Sequence, residues 1–152
     1  MSHRELLPIP PIETATDPVH SAADLRQRWR ALMGPLGFGE RLLWFAFVGP
    51  DRCLIKILNH MPIKPTPSDE VVDNLMSALQ VLLSDFAAGT TVALLLTRPG
   101  PGPISNADRG WSAALVAAAV RSGVPHEPIF RANDESLVQV APDLTASRSV
   151  NV

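Results

Sequence analysis

The chain has one cysteine among its 152 residues and little net charge of either sign. A single cysteine excludes an intramolecular disulfide and any metal site built from several thiolates. A formal net charge of -2 at pH 7 provides no overall field that would attract nucleic acid or an anionic membrane. No apolar run reaches the roughly 18 residues of a membrane span, and the polar N-terminus does not resemble a signal peptide. We therefore expect a soluble, cytoplasmic protein.

Proline is abundant, with 15 residues, and it is densest in the first 20 residues. Residues 1–20 contain four prolines and almost no periodic apolar pattern, which predicts a poorly ordered arm. Residues 142–152 are predicted to form a flexible tail. Between these ends, residues 21–141 are long enough for one hydrophobic core and are expected to form a single α/β domain.

Helical and strand patterns alternate within this domain. Three segments have the apolar spacing or capping residues of helices: a helix that begins at Ser21 and ends at Gly34, a second with a cap at Thr66 and an end at Gly89, and a third over 105–122. Apolar runs predict strands at 42–48, 53–58 and 91–97, and two further strands are predicted at 126–131 and 137–140. The first two strands flank a four-residue turn and read as a hairpin. The order α-β-β-α-β-α-β-β predicts a mixed sheet with flanking helices.

A loop rich in glycine and proline, at 98–103, separates the third strand from the third helix. Loops at this position often bind phosphate through backbone N–H groups at a helix N-terminus. Here Pro99, Pro101 and Pro103 remove three of those donors. The glycine spacing also matches neither a P-loop nor a dinucleotide-binding fingerprint. We therefore expect no nucleotide at this loop.

Residues that commonly carry chemistry are few and scattered. The chain has four histidines, His3, His20, His60 and His126. No two of them have the spacing of a metal-binding pair. Cys53 falls inside a predicted strand, where a thiol is typically buried and unreactive. Ser68 and Ser105 stand where helix caps stand, and the nucleophile motif G-x-S-x-G is absent. The residues alone therefore predict no metal, no cofactor and no ordinary hydrolase chemistry.

One segment carries a family resemblance. Residues 95–108 (LLTRPGPGPISNAD), followed by an alanine-rich helix and two strands, resemble the core of the JAB/MPN metalloprotease-like domains, and in particular their bacterial RadC branch. That family has H-x-H-P at the end of a buried strand, then a loop rich in glycine and proline, then S-x-x-D at the start of a helix. In the family the histidines and the aspartate bind zinc, the serine supports the oxyanion, and a glutamate near the first strand is the base. The resemblance covers about residues 40–141 and implies a JAB/MPN-like, cytidine-deaminase-like layered core.

Only some of the family's site residues have a counterpart in this chain. Leu96 and Arg98 stand where the family has its two histidines, and the loop that follows is one residue shorter. Ser105 and Asp108 match the serine and the aspartate, and Glu40 is the nearest candidate for the base. An aliphatic side chain has no lone pair for zinc, and a guanidinium repels it. We expect Arg98 to pair with Asp108 instead, and we expect no metal at this site.

These departures favour a non-catalytic JAB/RadC-like domain over an enzyme. The resemblance implies a protein-interaction or assembly module, because metal-free members of such families typically serve as scaffolds or dimer partners. The partner is an unknown protein or a second copy of the chain. A homodimer would cover the edge strand that the hairpin otherwise leaves exposed.

Two alternatives remain open from the sequence. The first is a small-ligand binder or a hydrolase that uses a cleft near Arg98, Ser105, Asp108 and His126, where an anion could bind between Arg98 and the helix N-terminus. The second, a DNA-associated role, rests on three arginines of the first helix: Arg26, Arg28 and Arg30. These arginines are predicted to form a solvated face, and the low net charge makes nucleic acid an unfavourable partner.

Overall fold

The computed structural model describes residues 8–141, which form an α/β fold with a five-stranded mixed sheet and three α-helices. The elements in chain order are a 3-10 helix (Ile12–Thr16), α1 (Ala22–Met33), β1 (Leu42–Val48), β2 (Leu54–Pro62), α2 (Asp69–Ser84), β3 (Thr91–Thr97), α3 (Asn106–Ser122), β4 (Phe130–Ala132) and β5 (Leu137–Gln139). From α1 onward, the predicted order of helices and strands is confirmed. No helix within the described residues is long and apolar enough to cross a membrane.

The strands lie in the order β2-β1-β3-β4-β5. Strand β1 runs antiparallel to both of its neighbours, which confirms the predicted β1–β2 hairpin. Strands β3 and β4 are parallel, and β4 and β5 form a second hairpin. Strand β3 therefore occupies the middle of the sheet, and all of its residues after the first are buried. An apolar run without polar alternation is typical of a strand covered on both faces.

Helices cover both faces of the sheet. Alternate residues of β3 point to opposite faces because the strand is pleated. Leu94 and Leu96 pack in the layer under α2 and α3, together with the buried Trp111 of α3. Ala93 and Leu95 pack on the other face, against α1. Strand β3 thus contributes side chains to both hydrophobic layers.

Helix boundaries follow capping chemistry, and both predicted boundaries of the second helix were wrong. The side chain of Ser105 caps α3, and Gly123 in a left-handed conformation follows its end, as expected. Helix α2 begins after Ser68, whose hydroxyl accepts a hydrogen bond from the Val71 N–H, and not after Thr66. It also ends at Ser84, ahead of the predicted stop at Gly89. The acidic residues that directly follow Ser68 favour it as the cap because they interact with the positive end of the helix.

Two strands, β2 and β4, have boundaries that differ from the prediction by more than one residue. Strand β2 continues to Pro62, four residues beyond its predicted end, because an edge strand tolerates a proline whose nitrogen faces away from the sheet. Strand β4 begins only at Phe130. Upstream of it, His126 makes an isolated bridge to Val92, and the following Pro128 has no N–H for a ladder.

Part of the predicted N-terminal arm is packed on the domain. The 3-10 helix buries Ala15, and Val19 is 1% exposed. The N–H of Val19 donates to the carbonyl of Arg52 in the β1–β2 turn, at 2.7 Å. Residues 8–20 therefore differ from the predicted poorly ordered arm. A few of their apolar side chains pack on the domain, and the local sequence does not indicate this contact. Residues 1–7 and the predicted tail at 142–152 lie outside the described part of the chain.

Candidate functional site

The end of β3 and the start of α3 bring three of the sequence-predicted site residues together. Arg98 directly follows β3, and the pleat places its side chain on the same face as Leu96, under α3. The loop at 98–103 then returns the chain over that face, where Ser105 caps α3 and Asp108 lies in its first turn. The local sequence order therefore positions Asp108 beside Arg98.

Arg98 and Asp108 form a buried, two-pronged ion pair. The Nε atom of Arg98 is 2.9 Å from Oδ1 of Asp108, and its Nη2 atom is 3.0 Å from Oδ2. The Asp108 side chain is 1% exposed and that of Arg98 is 10% exposed. The contact that we expected between these residues is therefore present in the structure. Arg98 also donates to two loop carbonyls, those of Pro99 and Pro103, so the same guanidinium tethers the loop.

Asp108 has a second role at the N-terminus of α3. Its N–H donates to the hydroxyl of Ser105 at 3.1 Å, and its carboxylate accepts from the Ser105 N–H at 2.9 Å. This reciprocal pair is a capping box, which satisfies two backbone donors that the helix would otherwise leave without partners. The structure thus gives Ser105 the capping role that its sequence position indicated.

Arg131 is a further member of the site, which the sequence analysis missed. This residue is fully buried in β4, and its Nε atom lies 3.3 Å from Oδ2 of Asp108. Its Nη atoms donate to Ser136 and to the carbonyl of Gly102. Two buried cations therefore share one carboxylate. The only signal in the sequence was an arginine at the end of the predicted strand at 126–131, which local patterning does not connect to Asp108.

The charges of the site keep Asp108 ionised. Burial by itself would raise the pKa of Asp108. Hydrogen bonds from Arg98 and from the Ser105 N–H, together with the charges of Arg98 and Arg131, outweigh burial and leave the pKa of Asp108 lowered. Burial lowers the pKa of Arg131, and the charge of Asp108 opposes that effect. The carboxylate is therefore a fixed negative charge between two guanidinium groups at neutral pH.

The loop at 98–103 already binds carboxylates of the protein itself. The Gly100 N–H donates to Asp134 at 2.8 Å, and the Gly102 N–H donates to Glu135 at 2.6 Å. Both acids belong to the turn between β4 and β5. The amide groups that the prolines leave in this loop thus have internal partners, and a phosphate arriving there would have to compete with them.

The remaining predicted site residues lie apart from this cluster. Glu40 is exposed just ahead of β1, and none of the contacts around Asp108 involves it. His126 lies near the opposite end of β3, where it pairs with Val92 and its Nδ1 atom is 3.1 Å from the Glu127 carbonyl. The rise of a strand places that end about 20 Å from Arg98. His126 therefore cannot act on the same small ligand as Arg98.

A second ion pair, also missed from the sequence, occupies the end of β3 near His126. The guanidinium of Arg52 contacts both carboxylate oxygens of Glu127, at 3.0 and 2.8 Å. The hydroxyl of Thr91 donates to the same carboxylate at 2.7 Å, and Arg52 Nε donates to the carbonyl of Val19. The hydrogen bond from Arg52 lowers the pKa of Glu127. This cluster ties the β1–β2 turn to β3, to the segment before β4 and to residue 19.

The arginines of α1 bind protein carbonyls. Arg26 donates to the Leu137 carbonyl at 2.8 Å, and Arg28 donates to the carbonyls of Asp17 and Pro18. Arg30 is only 4% exposed and donates to Gly34. The prediction of a solvated face was therefore wrong for Arg30, because the chain before and after α1 folds back over the helix.

The candidate nucleophile Cys53 also differs from its prediction. It is half-buried at the end of the β1–β2 turn, ahead of β2, and its Sγ atom is 3.8 Å from the Asp51 carbonyl.

Among residues 8–141, no three His, Cys, Asp or Glu side chains are grouped so that they could hold a metal ion.

An apolar groove lies on the α1 side of the sheet, away from the Arg98 cluster. It has a volume of about 270 Å³ and is bounded by the 3-10 helix, α1 and the β1–β2 hairpin. Its apolar lining includes Ile12, Ala15, Leu32, Ala46, Leu54 and Leu58. Lys56 is the charged residue of the lining.

No known family model matches the chain, and comparisons with curated proteins and with solved structures find no similar protein.

Proposed function

We propose that this chain is a non-catalytic domain of the JAB/MPN type, similar to the RadC branch, that acts as a protein-interaction or assembly module. The observation that carries this proposal is the two-pronged pair between Arg98 and Asp108. In the family pattern, the residue at position 108 is a zinc ligand. Here one oxygen of Asp108 is engaged by Arg98, and the other by Arg98, the Ser105 N–H and Arg131.

The residues at the corresponding positions do not fit a zinc ion. Leu96 lies in β3 and Arg98 follows it two residues later, so their side chains share the face on which Asp108 lies, as a His-x-His pair would. Leu96, however, has no lone pair, and Arg98 places a positive charge against the carboxylate. Arg131 adds a second positive charge 3.3 Å from Asp108. The side chains of the protein thus supply the cation that the aspartate of the family receives from its metal.

The order of helices and strands supports the same proposal, as does the distribution of apolar surface. The groove between the 3-10 helix, α1 and the β1–β2 hairpin leaves apolar surface on this side of the sheet, and Ile57 and Leu58 of β2 are exposed. Exposed apolar surface of this kind typically marks a site of protein contact. The binding function would therefore reside on the hairpin side, and the ion-pair cluster would have a structural role.

The zinc-binding capacity of a restored site tests the family assignment. We expect the wild-type protein, purified in the presence of zinc, to contain no stoichiometric metal. We expect Leu96→His combined with Arg98→His to bind one zinc ion together with Asp108, because three ligands would then share one face. Arg98→His alone, which leaves two ligands, is the matched control and should bind zinc far more weakly.

Metal analysis by mass spectrometry and zinc titration by calorimetry measure both quantities. Stoichiometric zinc in the wild-type protein would contradict the non-catalytic assignment. A folded double variant with no more affinity for zinc than the single variant would contradict the JAB-like arrangement of these residues.

A small-ligand binder is the second candidate, and the excess of positive charge around Asp108 favours it. Arg41 precedes β1, and the β1–β3 register places it across from Arg98. Burial lowers the pKa of Arg41, and the neighbouring charge of Arg98 lowers it further. Three guanidinium groups therefore act on one buried carboxylate, an arrangement that an added anion would stabilise. Inorganic phosphate that raises the melting temperature of the wild type, but not of Arg41→Ala, would support this candidate.

A further inference from the structure

The two edges of the sheet differ in how they are covered. Strand β5 has three residues, and the Arg26 guanidinium donates to its Leu137 carbonyl. Strand β2 has nine residues and forms the other edge. Ile57 and Leu58 of β2 are 41% and 38% exposed. The long edge is therefore the one that offers a surface for strand pairing.

Hydrogen bonding to β1 identifies the backbone groups that this edge leaves open. The Ile63 N–H donates to the Arg41 carbonyl, and β1 and β2 are in antiparallel register from that point to Leu58. Alternate residues of an antiparallel strand bond to the same neighbour. The backbone groups of Leu58, His60 and Pro62 consequently point away from β1.

The open stretch has a limit at each end. Pro62 has no N–H to donate. Beyond Leu58 the register shifts, because β2 uses more residues than β1 between the pairs at Leu58 and Leu54. Such a bulge, together with Lys56 inside it, interrupts regular pairing. These features prevent open-ended association and leave a short window around Asn59 in which another strand can pair.

We propose that β2 pairs antiparallel with β2 of a second copy of this chain, with the two-fold axis at Asn59. This pairing rests on the proposed assembly function. An antiparallel pair of identical strands is two-fold symmetric, so each copy presents the same surface to the other. The two five-stranded sheets then become one continuous sheet. The partner is a second copy because the window is complementary to itself.

The choice of register follows from the residues of the window. With the axis at Asn59, the outward N–H and C=O groups of Leu58 bond to those of His60 in the second copy. By symmetry, His60 bonds in the same way to Leu58 of the second copy. Ile57 then lies opposite Met61 of the second copy, an apolar pair. A shift of the axis to His60 would place Leu58 opposite the second copy's Pro62, which has no N–H. A shift to Leu58 would place Lys56 opposite His60, two basic side chains.

The same pairing covers apolar surface beside the edge. In this register, the chain of the second copy that follows His60 runs past Lys56 and Ile55, both of which line the groove. The half-buried Trp44 lies on the same part of the sheet, with its ring 4.5 Å from that of His60. Association would therefore change the environment of Trp44, and tryptophan fluorescence reports it.

Disulfide formation tests the register directly. In a Cys53→Ser background, Asn59→Cys places two thiols across the axis in a pair whose Cα atoms are about 4.5 Å apart, and such positions suit a disulfide. We expect rapid oxidation to a covalent dimer. Lys56→Cys in the same background is the matched control, because its two copies lie about 20 Å apart in this register and should remain reduced. Faster cross-linking of the Lys56→Cys protein would overturn the proposal.

A proline substitution tests the hydrogen bonds. His60→Pro removes only an N–H that β1 does not use, whereas His60→Ala keeps it. In sedimentation equilibrium we expect the wild type to dimerise, His60→Ala to dimerise, and His60→Pro to dimerise about tenfold more weakly or worse, since two hydrogen bonds are lost per dimer. Circular dichroism checks that both variants fold, and Leu58→Pro, which also faces outward, replaces His60→Pro if that variant does not.

The remaining outcomes are decisive as well. A wild-type protein that stays monomeric over the whole concentration range would overturn the pairing. A dimer that survives both proline substitutions, without cross-linking through position 59, would overturn it too, since another surface would then be responsible. Neither result affects the zinc titration of the restored site, so failure of this pairing and failure of the proposed family assignment remain distinguishable.

Discussion

An arginine paired with both oxygens of a carboxylate lies at each end of β3, yet the two pairs have different surroundings. In the Arg98–Asp108 pair the side chains are 10% and 1% exposed. In the Arg52–Glu127 pair they are 34% and 12% exposed. The shortest distances, 2.9 and 2.8 Å, are nearly the same. The two pairs therefore have similar N–O distances, and they differ in how deeply their side chains are buried.

Burial changes what happens when a pair is broken. A charge left without its partner at the surface regains water, whereas one left in the interior does not. The buried pair also has a third member, Arg131, which depends on the same carboxylate. The more exposed pair is instead supported by a neutral hydroxyl, that of Thr91. The comparison predicts a graded series of effects, with Asp108 at its upper end and Arg52 at its lower end.

Removal of Asp108 should have the largest effect. Asp108→Ala leaves Arg98 and Arg131 buried with no carboxylate between them and also removes half of the capping box. We expect the free energy of unfolding to fall by about 3–5 kcal/mol, the range typical of a broken buried pair. Urea denaturation measures the loss. Asp73→Ala, which breaks an ion pair with Arg121 whose side chains are more than half exposed, is the control and should change little. Equal losses in the two variants would remove the distinction between the sites.

Removal of Arg98 should cost less than removal of Asp108. In Arg98→Ala the carboxylate keeps Arg131 and the Ser105 N–H as partners. We expect a loss of about 2–3 kcal/mol, together with greater mobility of the loop at 98–103, because Arg98 also donates to two of its carbonyls. Urea denaturation and hydrogen exchange of the loop amides measure these effects. Full retention of thermal stability would contradict a structural role for this pair.

Acid should weaken both pairs, and the buried pair more. The pKa values of Asp108 and Glu127 are lowered in the folded state, so the unfolded chain binds protons more readily. Their contributions are complete above the ordinary carboxyl pKa of about 4 and are lost as the pH falls from there through the lowered values. We expect Asp108→Asn to flatten the acid limb of a stability–pH profile more than Glu127→Gln does. The reverse order would indicate that the exposed pair is the stronger one.

Removal of Arg52 should have the smallest effect on stability. Arg52→Ala breaks a pair in which a third of the arginine side chain is exposed, so we expect a loss of about 1 kcal/mol. It should also loosen the attachment of residue 19, whose carbonyl accepts from Arg52. Arg52→Lys, which retains a charge but not the two-pronged geometry, separates these contributions. A loss as large as that of Arg98→Ala would show that exposure is a poor guide to these two pairs.

Much of the fold and part of the site could be predicted because their signals are local. Ser105, Asp108 and Gly123 mark the two ends of α3 within one continuous segment. The pairing of Arg98 with Asp108 was accessible for the same reason, since one short loop separates them. Arg131, in contrast, comes from another strand, and nothing near it in the sequence indicates its partner. The sequence predicts His126 in one cleft with Arg98, whereas the structure places them at opposite ends of β3.

The sequence by itself determined the order of elements from α1 onward and the caps of α1 and α3, because periodicity and capping depend on residues within a few positions of each other. Only the tertiary structure decided that β3 lies at the centre of the sheet, that residues 8–20 pack on the hairpin, and that Arg131 meets Asp108. Those outcomes depend on which strands become neighbours. Strand neighbours are selected by burial of the whole apolar surface, and no single segment of the chain contains that information.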